Sequence, residues 1–336
     1  MTIPKTSPTP SPSQETASAA GPAQTGSGRF ARVPGFGRPT ARFVYWWAVA
    51  LLVANVGIVA TGGAVRLTGS GLGCPTWPRC TDDSFVPHQA LGVHGVIEFG
   101  NRMLTWVLTI VAIATWMAVL RYVRSARRDK WLVTLLALGI PFQGVIGGIT
   151  VLTKLNPWVV SLHFVLSMVL VSGATVLVFR MRPNAPPPAP AEPGTRVGRS
   201  LAWLQYLATW AAVYLGTVVT GSGPHAGDTE APRNGLAPDQ ATQLHADAVF
   251  VLIGLAIAVT VFTRALRLPQ QRTAYTFLGV IALQGILGVV QYNTGLPIAL
   301  VIAHMTVSAV LLIVATWMIL QFGTRTVTDD EPAAAV

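Results

Sequence analysis

The chain has 336 residues, 51% of them hydrophobic and only 11% charged, which excludes an ordinary soluble globule. A net charge of +10 would suggest nucleic acid in a soluble protein. Here the basic residues cluster in short segments between apolar runs, so they set membrane topology, and no nucleic-acid role is expected.

The chain opens on residues 1–42, whose first part is rich in Ser, Thr, Pro, Ala and Gly and has no apolar signal-peptide core. That composition predicts a disordered cytoplasmic tail. Uncharged stretches long enough to cross a bilayer then recur. They are Val44–Val65, Met103–Leu120, Trp131–Thr153, Leu155–Phe179, Ser200–Pro224 and Ala248–Thr263, the last extended back through Leu244. From Thr273 to Thr324 no Asp, Glu, Lys or Arg occurs, and Asn293-Thr294-Gly295-Leu296-Pro297 divides that run in two. The count is eight helices.

Segments alternate in charge. Eighteen Lys and Arg fall before the first span, in 121–130, 180–199 and 264–272, and after the last span, against five (Arg66, Arg79, Arg102, Lys154, Arg233) on the opposite side. The excess places both termini in the cytoplasm of a multi-pass cell-membrane protein. A Pro-rich linker within 183–199 separates residues 43–182 from residues 200–323, and 324–336 form a second cytoplasmic tail. Each half has an even number of helices, so both enter the membrane from the same side. The expected fold class is an all-α membrane protein, its eight transmembrane helices forming two parallel-repeat four-helix bundles.

One motif recurs in both halves. Gln143, Gly144 and Gly147 precede His163, and Gln284, Gly285 and Gly288 precede His304, with 20 residues from Gln to His each time. His163, His245 and His304 lie within about two turns of the outer start of helices four, six and eight. A histidine buried in apolar sequence is costly unless it binds something. His245 and His304 facing each other across a bundle would suit a haem held between two imidazoles. Zinc fits less well, because no cysteines or clustered carboxylates complete a tetrahedral set. The glycines also serve close helix packing, and either glutamine can bridge helices without touching a ligand.

The second helix departs from this pattern. It carries Glu98-Phe99-Gly100-Asn101-Arg102 where helix six has His245. Glu98 and Arg102 can pair at i, i+4, yet an intramembrane carboxylate near a cofactor pocket is also a candidate proton handler. His94 shares Asn101's helical face about 10 Å further out. His88 and His225 fall in loops and are expected to be solvated. Cys74 and Cys80, in the first outer loop, should form a disulfide in an oxidising compartment, either a staple for a Gly-rich loop or a reducible pair near the cofactor.

These residues also carry a resemblance. Val65-Arg66-Leu67-Thr68-Gly69-Ser70-Gly71-Leu72-Gly73-Cys74-Pro75-Thr76-Trp77-Pro78 resembles the first-loop signature of haem A synthases. The run Gln143–Leu152 is similar to their third-helix motif, and Thr220–Gly227 to their fifth-helix exit. With the Glu98 segment, four motifs occur in order over about residues 43–322. The resemblance implies oxidation of the C8 methyl of haem O to a formyl group, supplying haem A to cytochrome oxidase. It implies haem b held by His245 and His304, a substrate haem near His163, and a catalytic Glu at Glu98. The family's second histidine in this segment is Asn101 here, which leaves His163 as the protein ligand of that half, with His94 a possible approach from outside. Implied partners are haem O and the membrane enzyme that makes it, an electron donor, the cytochrome oxidase assembly pathway and membrane lipid. The alternatives are a diheme electron-transfer protein that leaves haem unmodified and a transporter built on parallel repeats.

Overall fold

Apolar runs closed by Pro, Gly and basic residues fold into eight helices: α1 Ala41–Leu67, α2 Gly92–Arg121, α3 Arg127–Leu152, α4 Pro157–Arg180, α5 Thr195–Ser222, α6 Pro238–Ala265, α7 Gln271–Asn293 and α8 Ile298–Gln321. A single 3-10 turn, Gln89–Leu91, leads into α2, and no strand occurs among the described residues. The structure is a computed structural model that describes residues 37–183 and 195–323. The readings of a tail before residue 37, of the Pro-rich linker over 184–194 and of a tail from 324 lie outside those residues. α5 begins at Thr195, inside the segment read as linker.

Local chemistry sets the helix ends. Thr40 Oγ1 accepts the Phe43 N–H at 3.2 Å at the start of α1. Asn156 Oδ1 accepts the Trp158 N–H at 3.0 Å, and Pro157 takes the first position of α4, where its missing N–H costs nothing. The turn into α4 puts Lys154 and Leu155 at φ 51° and 58°, and the turn into α8 puts Gly295 and Leu296 at 76° and 58°. Each turn closes with the same bond, Leu155 N–H to Thr150 O and Leu296 N–H to Gln291 O, both at 2.7 Å.

Among the described residues seven helices are long and apolar enough to cross a membrane. The exception is α5, which is 28 residues long but carries Trp203, Gln205, Tyr206, Trp210 and Tyr214, lowering its mean hydropathy. Gln205 and Thr209 are buried and the Tyr206 hydroxyl lies 2.9 Å from Ser172 Oγ, whereas Trp203 and Tyr214 point outward. Over the other helices large apolar side chains point outward, with Val53, Trp106, Ile110, Leu138, Phe250 and Val289 all well exposed. A continuous apolar exterior of this kind suits lipid.

Within residues 39–323 the neighbours are specific. α1 packs on α2 and α4, and α3 lies between α2 and α4; α5 packs on α6 and α8, and α7 lies between α6 and α8. The backbones of α2 and α4 are not neighbours, nor are those of α6 and α8. A seam joins α1 to α8 and α4 to both α5 and α8. Val59, Met168, Val213, Ala309 and Leu312 fill it, and Ser172 Oγ bonds Thr316 Oγ1 across it at 2.9 Å. At the C-terminal end of α4 Arg180 pairs with Asp129 at 3.3 Å, and Arg182 stacks 3.7 Å over Phe179 and 4.9 Å over Trp317.

Candidate functional site

Each of the three span histidines lies against a glycine of the preceding helix. A Cβ on Gly147 would stand 3.4 Å from His163 Cε1, on Gly216 3.4 Å from His245 Cε1, and on Gly288 3.3 Å from His304 Cε1. The glycines therefore give the imidazoles room to lie flat between helices. Gln143 Nε2 donates to the His163 carbonyl at 2.9 Å, and Gln284 Nε2 donates to the His304 carbonyl at 3.0 Å. Both glutamines thus hold the backbone that carries the histidine through Nε2, while Oε1 of each is buried with no hydrogen-bond partner. Gln143 also reaches Ser167 Oγ at 2.6 Å.

The rings themselves are left available. Nδ1 of His163, His245 and His304 is buried with no hydrogen-bond partner. The carbonyls of Ala212 and Gln284 lie near the His245 and His304 rings without completing such a bond. His245 and His304 are electrostatic neighbours although α6 and α8 do not pack together. Oε1 of Gln143, Gln205 and Gln284 is buried without a partner as well, and what sets the three histidines apart is their shared place beside a glycine, which makes them candidate ligands. Neutral imidazole with a free nitrogen is the donor type that haem iron takes. No cluster of three or more His, Cys, Asp or Glu side chains suited to a metal ion occurs among the described residues.

In the corresponding place on α2 the arrangement differs. Asn101 Oδ1 accepts a hydrogen bond from Thr61 Oγ1 of α1 at 2.8 Å, which occupies its carbonyl in helix packing. Glu98 is buried. Its Oε2 accepts the Cys74 N–H at 2.7 Å, and its Oε1 accepts Arg102 Nε at 3.2 Å. Arg102 Nη2 also donates to Glu98 and to the carbonyls of Cys74 and Thr76, while Nη1 donates to Arg79 O at 3.1 Å. The i, i+4 pair is thus formed, and it grips the first outer loop. Cys74 and Cys80 in that loop are disulfide-bonded and both fully buried.

His94 is exposed, and its Nδ1 lies 2.9 Å from Ser70 Oγ, which ties it to the outer loop. His88 is exposed as well. His225 differs from expectation: it is half-buried, with Nε2 3.0 Å from the Leu296 carbonyl, because the 223–235 loop docks on the turn into α8. Two features of the site carry no motif in the sequence. Gly216 has no Gln beside it to mark it, although its place one turn before Thr220 repeats a glycine ahead of a histidine helix. Trp77 packs directly on Gly148, the second glycine of the Gly-Gly pair in α3, so it lies next to the glycine that accommodates His163. The adjacency of a loop tryptophan and a helix glycine leaves no periodic signal.

A family profile described as cytochrome oxidase assembly protein (COX15-CtaA) matches residues 45–316. A heme A synthase of Listeria welshimeri is 26% identical over 277 residues, covering 78% of this chain and 90% of that protein. One from Lysinibacillus sphaericus is 33% identical over 141 residues, 42% of this chain and 45% of that protein. One from Bacillus mycoides is 30% identical over 142 residues, 41% and 43% of the two chains. The higher-identity matches therefore span just under half of those relatives, and the L. welshimeri match spans nearly all of its own.

Proposed function

We propose, from the premise that this chain belongs to the COX15-CtaA family of cytochrome oxidase assembly proteins, that it is a haem A synthase, a membrane oxidoreductase converting haem O to haem A. The observation that carries this reading beyond family membership is the shared setting of His163, His245 and His304: a glycine beside each ring and an unpartnered Nδ1 on each. A pure electron carrier does not require the altered α2, and the heme A synthase relatives do not favour that alternative.

His245 and His304 would hold haem b between α6 and α8, helices whose backbones are separated. Bound there, haem b would supply one-electron transfer. His163 would hold the substrate, haem O, in the first half, with Asn101 taken up by Thr61 and not serving as an axial ligand. Gln143 and Gln284 orient the histidines through their carbonyls. Glu98 is the residue proposed to serve oxidation of the C8 methyl, through a proton held at Oε1 or Oε2. Both oxygens are already hydrogen-bonded, so its position is fixed before substrate arrives.

The two sets of four helices are proposed to be parallel repeats. Gln143, Gly147, Thr150, Leu155 and His163 recur in equal register as Gln284, Gly288, Gln291, Leu296 and His304, including the turn bond into the histidine helix. α5 is proposed to cross the membrane with the other seven, since Gln205 and Thr209 are buried and the Tyr206 hydroxyl lies against Ser172 of α4. The charge asymmetry then puts both termini in the cytoplasm. A membrane enzyme delivering haem O and a separate electron donor are the implied partners.

The test is chemical. Full-length protein purified from cells that also make haem O should yield haem b together with haem O or haem A on extraction, by pyridine haemochrome and reversed-phase chromatography. Haem b alone, with no haem A formed when haem O is supplied, would leave the electron carrier as the better reading.

A further inference from the structure

Outside the histidine sites, the half-buried arginine at the outer end of α1 has no acidic partner. Arg66 Nε donates to His225 O at 2.8 Å and Nη2 to Thr220 O at 3.1 Å. Arg233 Nη1 donates to Ala231 O at 2.7 Å and Nη2 to Pro224 O at 3.0 Å. Both line one cavity of about 330 Å³, together with Gly69, His225, Gly227 and Asp228. The two guanidinium groups are close enough to repel each other. Neither belongs to an ion pair among the described residues. The Asp228 carboxylate also lines the cavity, but it accepts the Glu230 N–H at 2.9 Å and lies outside ion-pair distance of both arginines. Two like charges held together against neutral carbonyls are unfavourable until an anion joins them, and guanidinium pairs suit planar oxyanions.

The cavity's position narrows the ligand. Thr220, gripped by Arg66, lies one turn beyond Gly216, the glycine beside His245, or about 6 Å along α5. His225, whose carbonyl Arg66 also holds, reaches the Leu296 carbonyl in the turn that starts α8, about two turns before His304. The arginines thus cap the outer edge of the space between His245 and His304. A haem carries its two carboxylates on a single edge.

We propose that Arg66 and Arg233 form the binding site for the carboxylates of the haem held by His245 and His304. The inference rests on the haem site proposed above. Arg66 then joins α1 of the first half to the haem of the second, and the site is complete only when both halves are present.

The experiment uses full-length protein in nanodiscs, freed of haem and reloaded with haem b or with its dimethyl ester. Haem transfer to apomyoglobin is followed spectrally in the wild type, Arg66→Gln, Arg66→Lys and Arg233→Gln. With haem b, each Gln variant should lose haem about tenfold faster, and Arg66→Lys should lose it less fast than Arg66→Gln. With the ester, the wild type should lose haem as fast as the Gln variants, which should show no further change. Unchanged loss rates in variants that keep a two-histidine low-spin spectrum would overturn the proposal and leave the haem site standing. Wild-type protein that takes up no low-spin haem would overturn both. A variant effect that is the same for ester and acid, and that needs anionic phospholipid in the nanodisc, would assign the arginines to lipid phosphate instead. Because Arg66 also ties the end of α5, Arg233→Gln decides the matter if Arg66→Gln does not fold.

Discussion

Gly288 is the position where one added carbon should speak most directly to haem binding. A Cβ there would stand 3.8 Å from His304 Nδ1 and 3.3 Å from Cε1, the latter shorter than the ~3.5–4.0 Å optimum for carbon contacts. Alanine asks the ring to give by a few tenths of an ångström. Its helix-forming gain of about 0.5–1 kcal/mol roughly offsets the strain of that short contact, so Gly288→Ala should fold normally. Valine adds two methyl groups beside the ring, and overpacking of this kind costs about 1–3 kcal/mol. Borne by the ligated state, that cost lowers haem affinity by about tenfold or more. The assay is the haem-to-protein ratio by pyridine haemochrome, with the low-spin electron paramagnetic resonance signal as the readout of ligation geometry. Gly288→Ala should shift that signal at near-normal occupancy, and Gly288→Val should lose most of the haem b. Gly279 on the same helix is the control, since it is exposed and a Cβ there meets nothing within 4 Å. Full, spectrally unaltered haem in Gly288→Val, or equal loss in Gly279→Val, would refute the packing argument.

Other substitutions separate the remaining roles. His245→Ala and His304→Ala should each remove the low-spin haem b spectrum, and retention of an unchanged spectrum in either would contradict the ligand assignment. Glu98→Ala should keep that spectrum but stop haem O conversion. It should also lower thermal stability, by about 1–3 kcal/mol, since the Cys74 N–H and the half-buried Arg102 lose their acceptor; haem A formed at the parental rate would reduce Glu98 to a structural partner of Arg102. Asn101→Ala should alter activity only modestly through loss of the Thr61 bond, so complete loss of haem from the first half would show that Asn101 is a ligand. Thiol labelling of intact membranes should find Cys74 and Cys80 unreactive until a reductant is added; two free thiols under oxidising conditions would contradict the bridge.

Much of this arrangement is legible in the chain because apolar length and helix-breaking residues are local signals. The break at Asn293–Pro297 separates α7 from α8, and the repeated Gln-to-His spacing foreshadows two matching backbone bonds. α5 is less plain, since the burial of Gln205 and the contact of Tyr206 with Ser172 depend on helices distant in sequence. Glu98 shows the limit of local reading. The i, i+4 spacing shows its partner Arg102, but the bond from Cys74 N–H joins residues 24 apart through a loop, which no period encodes. His225 fails for a similar reason: a loop histidine looks solvated until the turn before α8 closes over it.

The placement of α8 bears on whether the molecule can be divided. α8 touches α5 and α7 of its own half and also α1 and α4 of the other, with Ala309 and Leu312 in the seam and Thr316 bonded to Ser172. A fragment comprising residues 200–323 alone would bare that wall to lipid and leave the Thr316 hydroxyl without its partner on α4. Co-produced as separate polypeptides, the two fragments should reassociate along α8, and the helix carrying His304 would be the one whose order depends on the reunion.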